Sequence, residues 1–274
     1  MTLNRYHVLL TKFNVGWAAA VDPRVLSPEW LGPRIRLFKE ITFPSVVSQT
    51  RLPDAWLVFF DEGTPEATRA EFRQLAAGLP LLRAEYCGEL DSKLCAERIG
   101  RIMAPDADWL LTTRLDNDDA LNRRFIETLQ SHVRPEEREF INPTYGLIVA
   151  NGRLYRKRDY SSPFITLSEP AADCRTVWID QHGLLARHGR VRQFSLPDAW
   201  IQVVHGGNLI NQVRGVRISP TRVSPDALPP NLSATVSDVR LSELMLDNSF
   251  GLLRRYAGRT WRRGERMWAS RRRA

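Results

Sequence analysis

Between Tyr6 and Asp119 the chain alternates apolar, strand-like runs with helix-length amphipathic segments. The runs are "YHVLLTKFNV", "AWLVFFDEGTP", "PLLRAEYC" and "DWLLTTRLDND". Between them lie "WLGPRIRLFKEITFPSVVSQT", "PEATRAEFRQLAAG" and "DSKLCAERIGRIMA". Strands separated by a helix pair in parallel through right-handed crossovers. The pattern therefore predicts an α/β fold built on a doubly wound, mainly parallel sheet. Runs as apolar as "AWLVFF" suit strands covered on both faces. A helix is expected from about Arg34, with Pro44 bending or interrupting it. Pro65 and Gly78 frame the second helix, and Asp91 is the expected N-cap of the third.

Beyond Asp119 the segment "LNRRFIETLQSHV" reads as a helix, and "EFINPTYGLIVANGRLYRKRDY" as a hairpin turning at Ala150-Asn151-Gly152. "TVWID" and "WIQVVHGGNLIN" are two later strand candidates. Four prolines then interrupt regular structure. The expected organisation is a domain over residues 1–217, a Pro-rich linker over 218–231 and a basic helical extension over 232–274. No internal repeat is evident.

With 274 residues, 43% of them hydrophobic and 26% charged, the chain is composed like a soluble globular protein with a sizeable core. No apolar run approaches the roughly 20 residues that span a bilayer. No basic segment followed by an apolar stretch opens the chain, so no secretory signal is expected. Three cysteines without close pairing point to a reducing compartment. Charge is unevenly placed: from Arg254 to the end there are nine arginines and one glutamate, equal to the whole formal net charge of +8. The remainder is near neutral, which argues against a nucleic-acid-binding body and for a basic appendage.

The most demanding feature is "RLDNDDAL", where Asp116, Asp118 and Asp119 crowd together at the end of a predicted strand. Adjacent carboxylates repel, so something must compensate them. A calcium loop fits poorly. Asp116, Asp118 and Glu127 match its first, third and twelfth positions, but Ala120 and Leu121 stand at the fifth and at the obligatory glycine. A solvated turn with Asp119 capping the next helix needs only one acid. A hard divalent cation shared between carboxylates and a substrate diphosphate uses the whole cluster, and ligands of parallel sheets bind at the carboxyl ends of the strands.

The ordered set "LLTKFNV", "WLGPRIRLFKEITFPSVVSQT", "WLVFFDEGTP", "LLTTRLDNDDAL" and "WIQVVHGGNLIN" resembles the rhamnosyltransferase family of bacterial glycosyltransferases over roughly residues 3 to 215. More widely it is similar to the GT-A (Rossmann-like) nucleotide-sugar transferases and their D-x-D signature. The resemblance implies a metal-dependent glycosyltransferase using Mn²⁺ or Mg²⁺, a dTDP-, UDP- or GDP-linked sugar donor, with rhamnose the first choice, and a saccharide or lipid-linked acceptor in cell-surface polysaccharide synthesis. It implies a metal site of Asp116, Asp118 and His205, and nucleotide-sugar contacts from Thr11, Phe13, Asn14, Asp61, Lys93, Arg98, Arg114 and Asp116. Of Lys93 and Arg98, which do not share a helix face, Arg98 is the one expected at the diphosphate. Trp200 and Asn208 are expected around the same pocket. An inverting enzyme also needs a general base. Asp180, Glu169 and Asp173 are the candidates, Asp180 ahead of Glu169.

The tail, with Phe250, Leu253, Tyr256, Trp261 and Trp268 among its arginines, suits an anionic membrane surface better than nucleic acid. The expected location is cytoplasmic, with peripheral attachment to the inner face of the membrane. Two other functions fit the same scaffold: a non-catalytic sugar- or nucleotide-binding module, and a nucleotidyltransferase.

Overall fold

The computed structural model describes residues 4–15, 23–205 and 213–249. The expected parallel core is present. Strands β1 (Arg5–Lys12), β2 (Ala55–Asp61), β3 (Leu82–Cys87) and β4 (Trp109–Arg114) pair in parallel, with β4 and β2 flanking β1. Side chains alternate across this sheet. Trp56, Val58 and Phe60 of β2 enter one core with Leu9 and Phe72, while Ala55, Leu57 and Phe59 enter the opposite core with Val8, Leu10 and Ile99. Two buried faces explain why the strand runs show no polar alternation.

The first crossover is a composite helix. Helix α1 (Pro28–Leu37) is capped by Ser27, whose side chain accepts from the Trp30 N–H. It passes through a wider π turn (Phe38–Thr42) into α2 (Phe43–Val47). Pro44 neither breaks nor ends it. The π turn pairs the Phe43 N–H with the Phe38 carbonyl. The Glu40 carbonyl, which Pro44 cannot serve, accepts from Asn231 Nδ2 at 3.2 Å. Helix α3 (Glu66–Ala77) lies between Pro65 and Gly78, and α4 (Ser92–Gly100) is capped by Asp91, which accepts from the Leu94 N–H at 2.7 Å.

After β4 the chain changes sheets. Strand β5 (Ala120–Leu121) leads to α5 (Phe125–Ser131), then β6 (Glu139–Pro143), β7 (Tyr145–Ala150) and β8 (Arg153–Arg158). Strands β9 (Thr166–Pro170), β10 (Val191–Phe194), β11 (Trp200–Val204) and β12 (Val216–Ile218) follow. The seven-stranded sheet runs β10-β6-β9-β4-β1-β2-β3, and a five-stranded sheet runs β12-β8-β7-β11-β5. The β7–β8 hairpin turns at Asn151 (φ 49°) and Gly152 (φ 70°), the left-handed pair that a two-residue hairpin loop requires.

Three expectations are corrected here. "TVWID" is not a strand: Val177–Ile179 form a 3-10 turn. "EFINP" does not pair with the hairpin but joins the first sheet beside β9 and β10. The segment read as a linker is packed, with β12, a 3-10 turn (Pro220–Arg222) and α6 (Pro230–Thr235). Ala227 and Leu232 are buried in the third core with Leu147, Val149 and Ile201, so proline here shapes a docked segment. Residues 241–249 are helical, as expected of the extension. Phe250 and the tail after it lie outside the described residues.

Two packing details carry predictions. Gly146 lies under the Trp200 indole, and a Cβ there would sit 2.1–2.3 Å from three ring atoms. Gly146→Ala is expected to cost about 3 kcal/mol through overpacking, read as a lowered Tm in calorimetry. His7 is fully buried between Thr113 Oγ1 (2.8 Å) and Gln130 Nε2 (3.2 Å). Burial, aided by Arg51, lowers its pKa from 6.5 to about 3. The unfolded chain therefore takes up a proton that the folded chain refuses. Stability from this group is full above about pH 6.5 and is lost as pH falls toward 3, by at most about 1.4 kcal/mol per pH unit. His7→Gln is expected to flatten that slope in urea denaturation between pH 7 and 4.

Candidate active site

Five residues separate the end of β4 in one sheet from the start of β5 in the other, and the acids occupy this bridge. Asp118 and Asp119 are buried, and Asp116 is half-buried. Each acid has its own surroundings.

Asp118 Oδ2 accepts from Arg34 Nη1 at 2.6 Å and lies 3.0 Å from His205 Nε2. Arg34 comes from α1, over the Trp30 ring, and also reaches Asn117 Oδ1 at 3.4 Å. Asn117 in turn donates to the Phe13 carbonyl at 2.8 Å. His205 follows β11 directly, so Asp118 gathers a cation from the helical layer and an imidazole from the second sheet.

Asp119 Oδ1 accepts from the Val203 N–H at 2.8 Å, and its Oδ2 is buried without a hydrogen-bond partner among the described residues. Burial first, then Asp118 and Asp116, push this carboxyl well above its ordinary range. It does not cap the next helix. That helix begins only at Phe125, and Asn122 Oδ1 accepts from the Arg124 N–H in the turn before it.

The charges that act on Asp116 are those of Arg114, Asp118, His182 and Lys12. Burial raises its pKa, opposed first by Arg114, while Asp118 adds to the rise. Lys12 ends β1, with Nζ 4.8 Å from the centre of the Trp178 ring. Burial and then Arg114 lower its pKa, and Asp116 opposes them. Arg114 Nε is buried without a hydrogen-bond partner among the described residues. His182 follows the 3-10 turn and is half-buried, its Nδ1 2.5 Å from the Ser161 carbonyl.

Several expected nucleotide contacts serve the scaffold instead. Thr11 Oγ1 is buried and accepts from Trp56 Nε1 at 2.9 Å. Phe13 stacks on Phe60 inside the core. The buried Asn14 side chain bonds to the Val25 carbonyl, Thr64 Oγ1 and the Asp61 N–H. Asp61 Oδ1 closes its own turn by accepting from the Gly63 N–H. Arg98 pairs with Glu85 of β3 at 3.5 Å, three strands from β4 and so roughly 14 Å away across the sheet. Lys93 is exposed on α4. Trp200 is fully buried, donates to the Pro143 carbonyl and stacks on Phe164, so it lines no pocket. Asn208 lies outside the described residues.

The expected general bases fare differently again. Glu169 pairs in register with Leu110, near the start of β4 and away from the acids at its end. Its carboxylate is spent on Arg138 and on the Arg175 and Thr176 N–H groups. Those bonds hold Thr176 at φ 60°, a strained setting for a β-branched residue, so Glu169 shapes the loop leading to His182. Asp173 is exposed and pairs with Arg138 and Arg175. Asp180 accepts from the Gln181 N–H at 2.7 Å, and its Oδ2 lies 2.8 Å from His188 Nε2. The His188 bond holds its pKa below the ordinary value, which makes it a weak base.

Sequence reasoning passed over Arg34, Lys12 and His182. The signal available for Lys12 was its place at a strand's carboxyl end, next to Thr11 and Phe13. Nothing local marked Arg34. Arg34→Met keeps the apolar stem and removes the guanidinium. It is expected to lower stability by about 3 kcal/mol, because a buried carboxylate loses an ionic partner. The same change is expected to cost much less beside Asp118→Asn, and urea denaturation of the four proteins measures the difference.

Residues 18–217 match the family described as "Putative rhamnosyl transferase". No match was found among curated proteins. Among solved structures, S. aureus TarS 1-349 in complex with UDP-GlcNAc is similar at 10% identity and TM-score 0.44, covering 74% of this chain. This chain spans 60% of that one. The inositol-1-phosphate CTP transferase from T. maritima is similar at 10% identity and TM-score 0.36, covering 86% of this chain and 95% of its own. These likenesses are loose, and the family match carries the assignment. The chain belongs to the rhamnosyl transferase family of glycosyltransferases.

Proposed function

We propose that the chain transfers a sugar, with rhamnose the first candidate, from a nucleotide-sugar donor to a saccharide or glycolipid acceptor, using Mn²⁺ or Mg²⁺. The observation that carries this reading is the meeting of Asp118 with His205 at the carboxyl end of β4, beside Asp116. Among the described residues no group of three or more His, Cys, Asp and Glu side chains is arranged around a metal position. The donor set fits a hard dication held by one carboxylate and one imidazole, with phosphate oxygens and water filling the remaining positions; it does not fit an all-protein cage. Asp118 and His205 would hold the ion, which would supply positive charge beside the diphosphate.

The chain's own residues do the rest. Arg34 fixes the direction of the Asp118 carboxylate by a 2.6 Å ionic hydrogen bond. Lys12 and Arg114, on adjacent strand ends, offer cations to a leaving nucleotide diphosphate. Asp116, between them, faces the donor's ribose or a metal-bound water. No helix among the described residues is long and apolar enough to cross a membrane. The basic, aromatic-rich tail supports an anionic lipid surface as the place where the acceptor is met.

Calorimetric titration with UDP, dTDP and GDP, each with and without Mn²⁺, tests the reading. One nucleotide is expected to bind only with metal, and Asp118→Asn is expected to weaken it by about 10–100-fold or more. Absence of binding by all three with metal would overturn it.

A further inference from the structure

We propose that His182 is the general base that takes the proton from the acceptor hydroxyl. The inference rests on the glycosyl-transfer reading above and assigns a step that reading leaves without a residue.

The hydrogen bonding fixes the tautomer. Nδ1 faces the Ser161 carbonyl at 2.5 Å, and a carbonyl oxygen only accepts, so Nδ1 carries the proton. In the neutral ring Nε2 then keeps its lone pair. No hydrogen bond to Nε2 is made among the described residues. Burial, with Arg114 assisting, keeps the imidazole neutral, while Asp116, Asp159 and the Ser161 carbonyl oppose this. The ring is therefore a base at neutral pH with one accepting nitrogen.

Placement supports the same role. Asp118's partners approach from α1 and from the end of β11, whereas Asp116 is within the electrostatic reach of Lys12, Arg114 and His182. The loop holding His182 in place also runs past the end of β4, because the Arg114 N–H donates to the Ile165 carbonyl at 3.2 Å. In that loop Ser162 Oγ is buried without a hydrogen-bond partner among the described residues, as is Arg114 Nε. Orphaned polar atoms in a buried setting are costly unless a ligand completes them. Arg114, which carries one of these orphans, is among the charges that act on both Asp116 and His182. The three carboxylates that the sequence offers as bases are bound elsewhere: Asp180 by His188, Asp173 by Arg138, and Glu169 by backbone N–H groups toward the far end of β4.

In the step, the acceptor oxygen forms a bond to the anomeric carbon as its proton passes to Nε2. The bond from that carbon to the diphosphate oxygen breaks, and the nucleotide diphosphate leaves with the electron pair. The imidazolium then releases its proton to solvent. Direct attack of this kind inverts the anomeric configuration.

The test uses water as the acceptor. Wild type, His182→Asn and Asp180→Asn are incubated with Mn²⁺ and dTDP-rhamnose, UDP-N-acetylglucosamine or GDP-mannose, and nucleotide diphosphate release is followed from pH 5 to 9. Asn keeps a donor for the Ser161 carbonyl and removes the base. His182→Asn is expected to bind nucleotide as wild type does and to release it about 100-fold more slowly. The wild-type rate is expected to fall at acid pH as the imidazole protonates, a limb the variant lacks and Asp180→Asn keeps. Equal rates and profiles in wild type and His182→Asn overturn the assignment, as does loss of the acid limb in Asp180→Asn alone. Nucleotide binding that needs Asp118, without release by the wild type, also overturns it and leaves the donor-site reading standing. Failure of the wild type to bind any nucleotide defeats both.

Discussion

Everything near the site depends on how the chain leaves β4. Within six residues it passes from one sheet to another, and the bond from the Val203 N–H to Asp119 Oδ1 ties that passage to β11. Because β11 runs on into His205, the same bond sets where the imidazole emerges. Asp119 thus fixes the geometry of its neighbours without needing to touch a ligand. Its raised pKa reflects the cost of that position: a buried carboxyl beside two others favours the protonated form.

The cluster is tolerable because its compensating cations arrive from separate elements. Arg34 comes from the first helix, Lys12 from the first strand and Arg114 from the strand that carries the acids. Each is at least partly buried, and burial works against the charge of both Lys12 and Arg114. Such an arrangement is stabilising only when the pairs are complete. It favours a ligand that brings both signs of charge, as the proposed diphosphate and dication would.

The parallel half of the fold was legible because strands buried on both faces leave an unmistakable apolar signature. Strands β9 and β10 were not. "TLSEP" and "VRQF" carry polar residues whose partners lie far off in sequence: Ser168 accepts from Trp109 Nε1, and Glu169 from Arg138. β5 has two residues and exists only through its pairing with β11. The 218–231 segment looked like a linker because composition reports proline but not the burial of single residues such as Ala227. At the site, the acids and His205 announced themselves by type and position. Arg34 and His182 did not, since an arginine on a helix and a histidine after a short turn look alike whether they face water or a carboxylate.

The π turn in the first crossover has a geometric consequence. One extra residue in a helical turn rotates everything after it by roughly 100°. Leu31, Ile35 and Phe38 pack in the first core, as does Val46 after the turn, whereas Leu37 and Ile41 on the intervening flank pack in the third. A single helical run is shared between two cores, with Arg34 on its first segment. The bare carbonyl of Glu40 then serves as the catch that Asn231 engages. A proline that would be a defect in a uniform helix becomes the point where the end of the folded domain is fastened to its beginning.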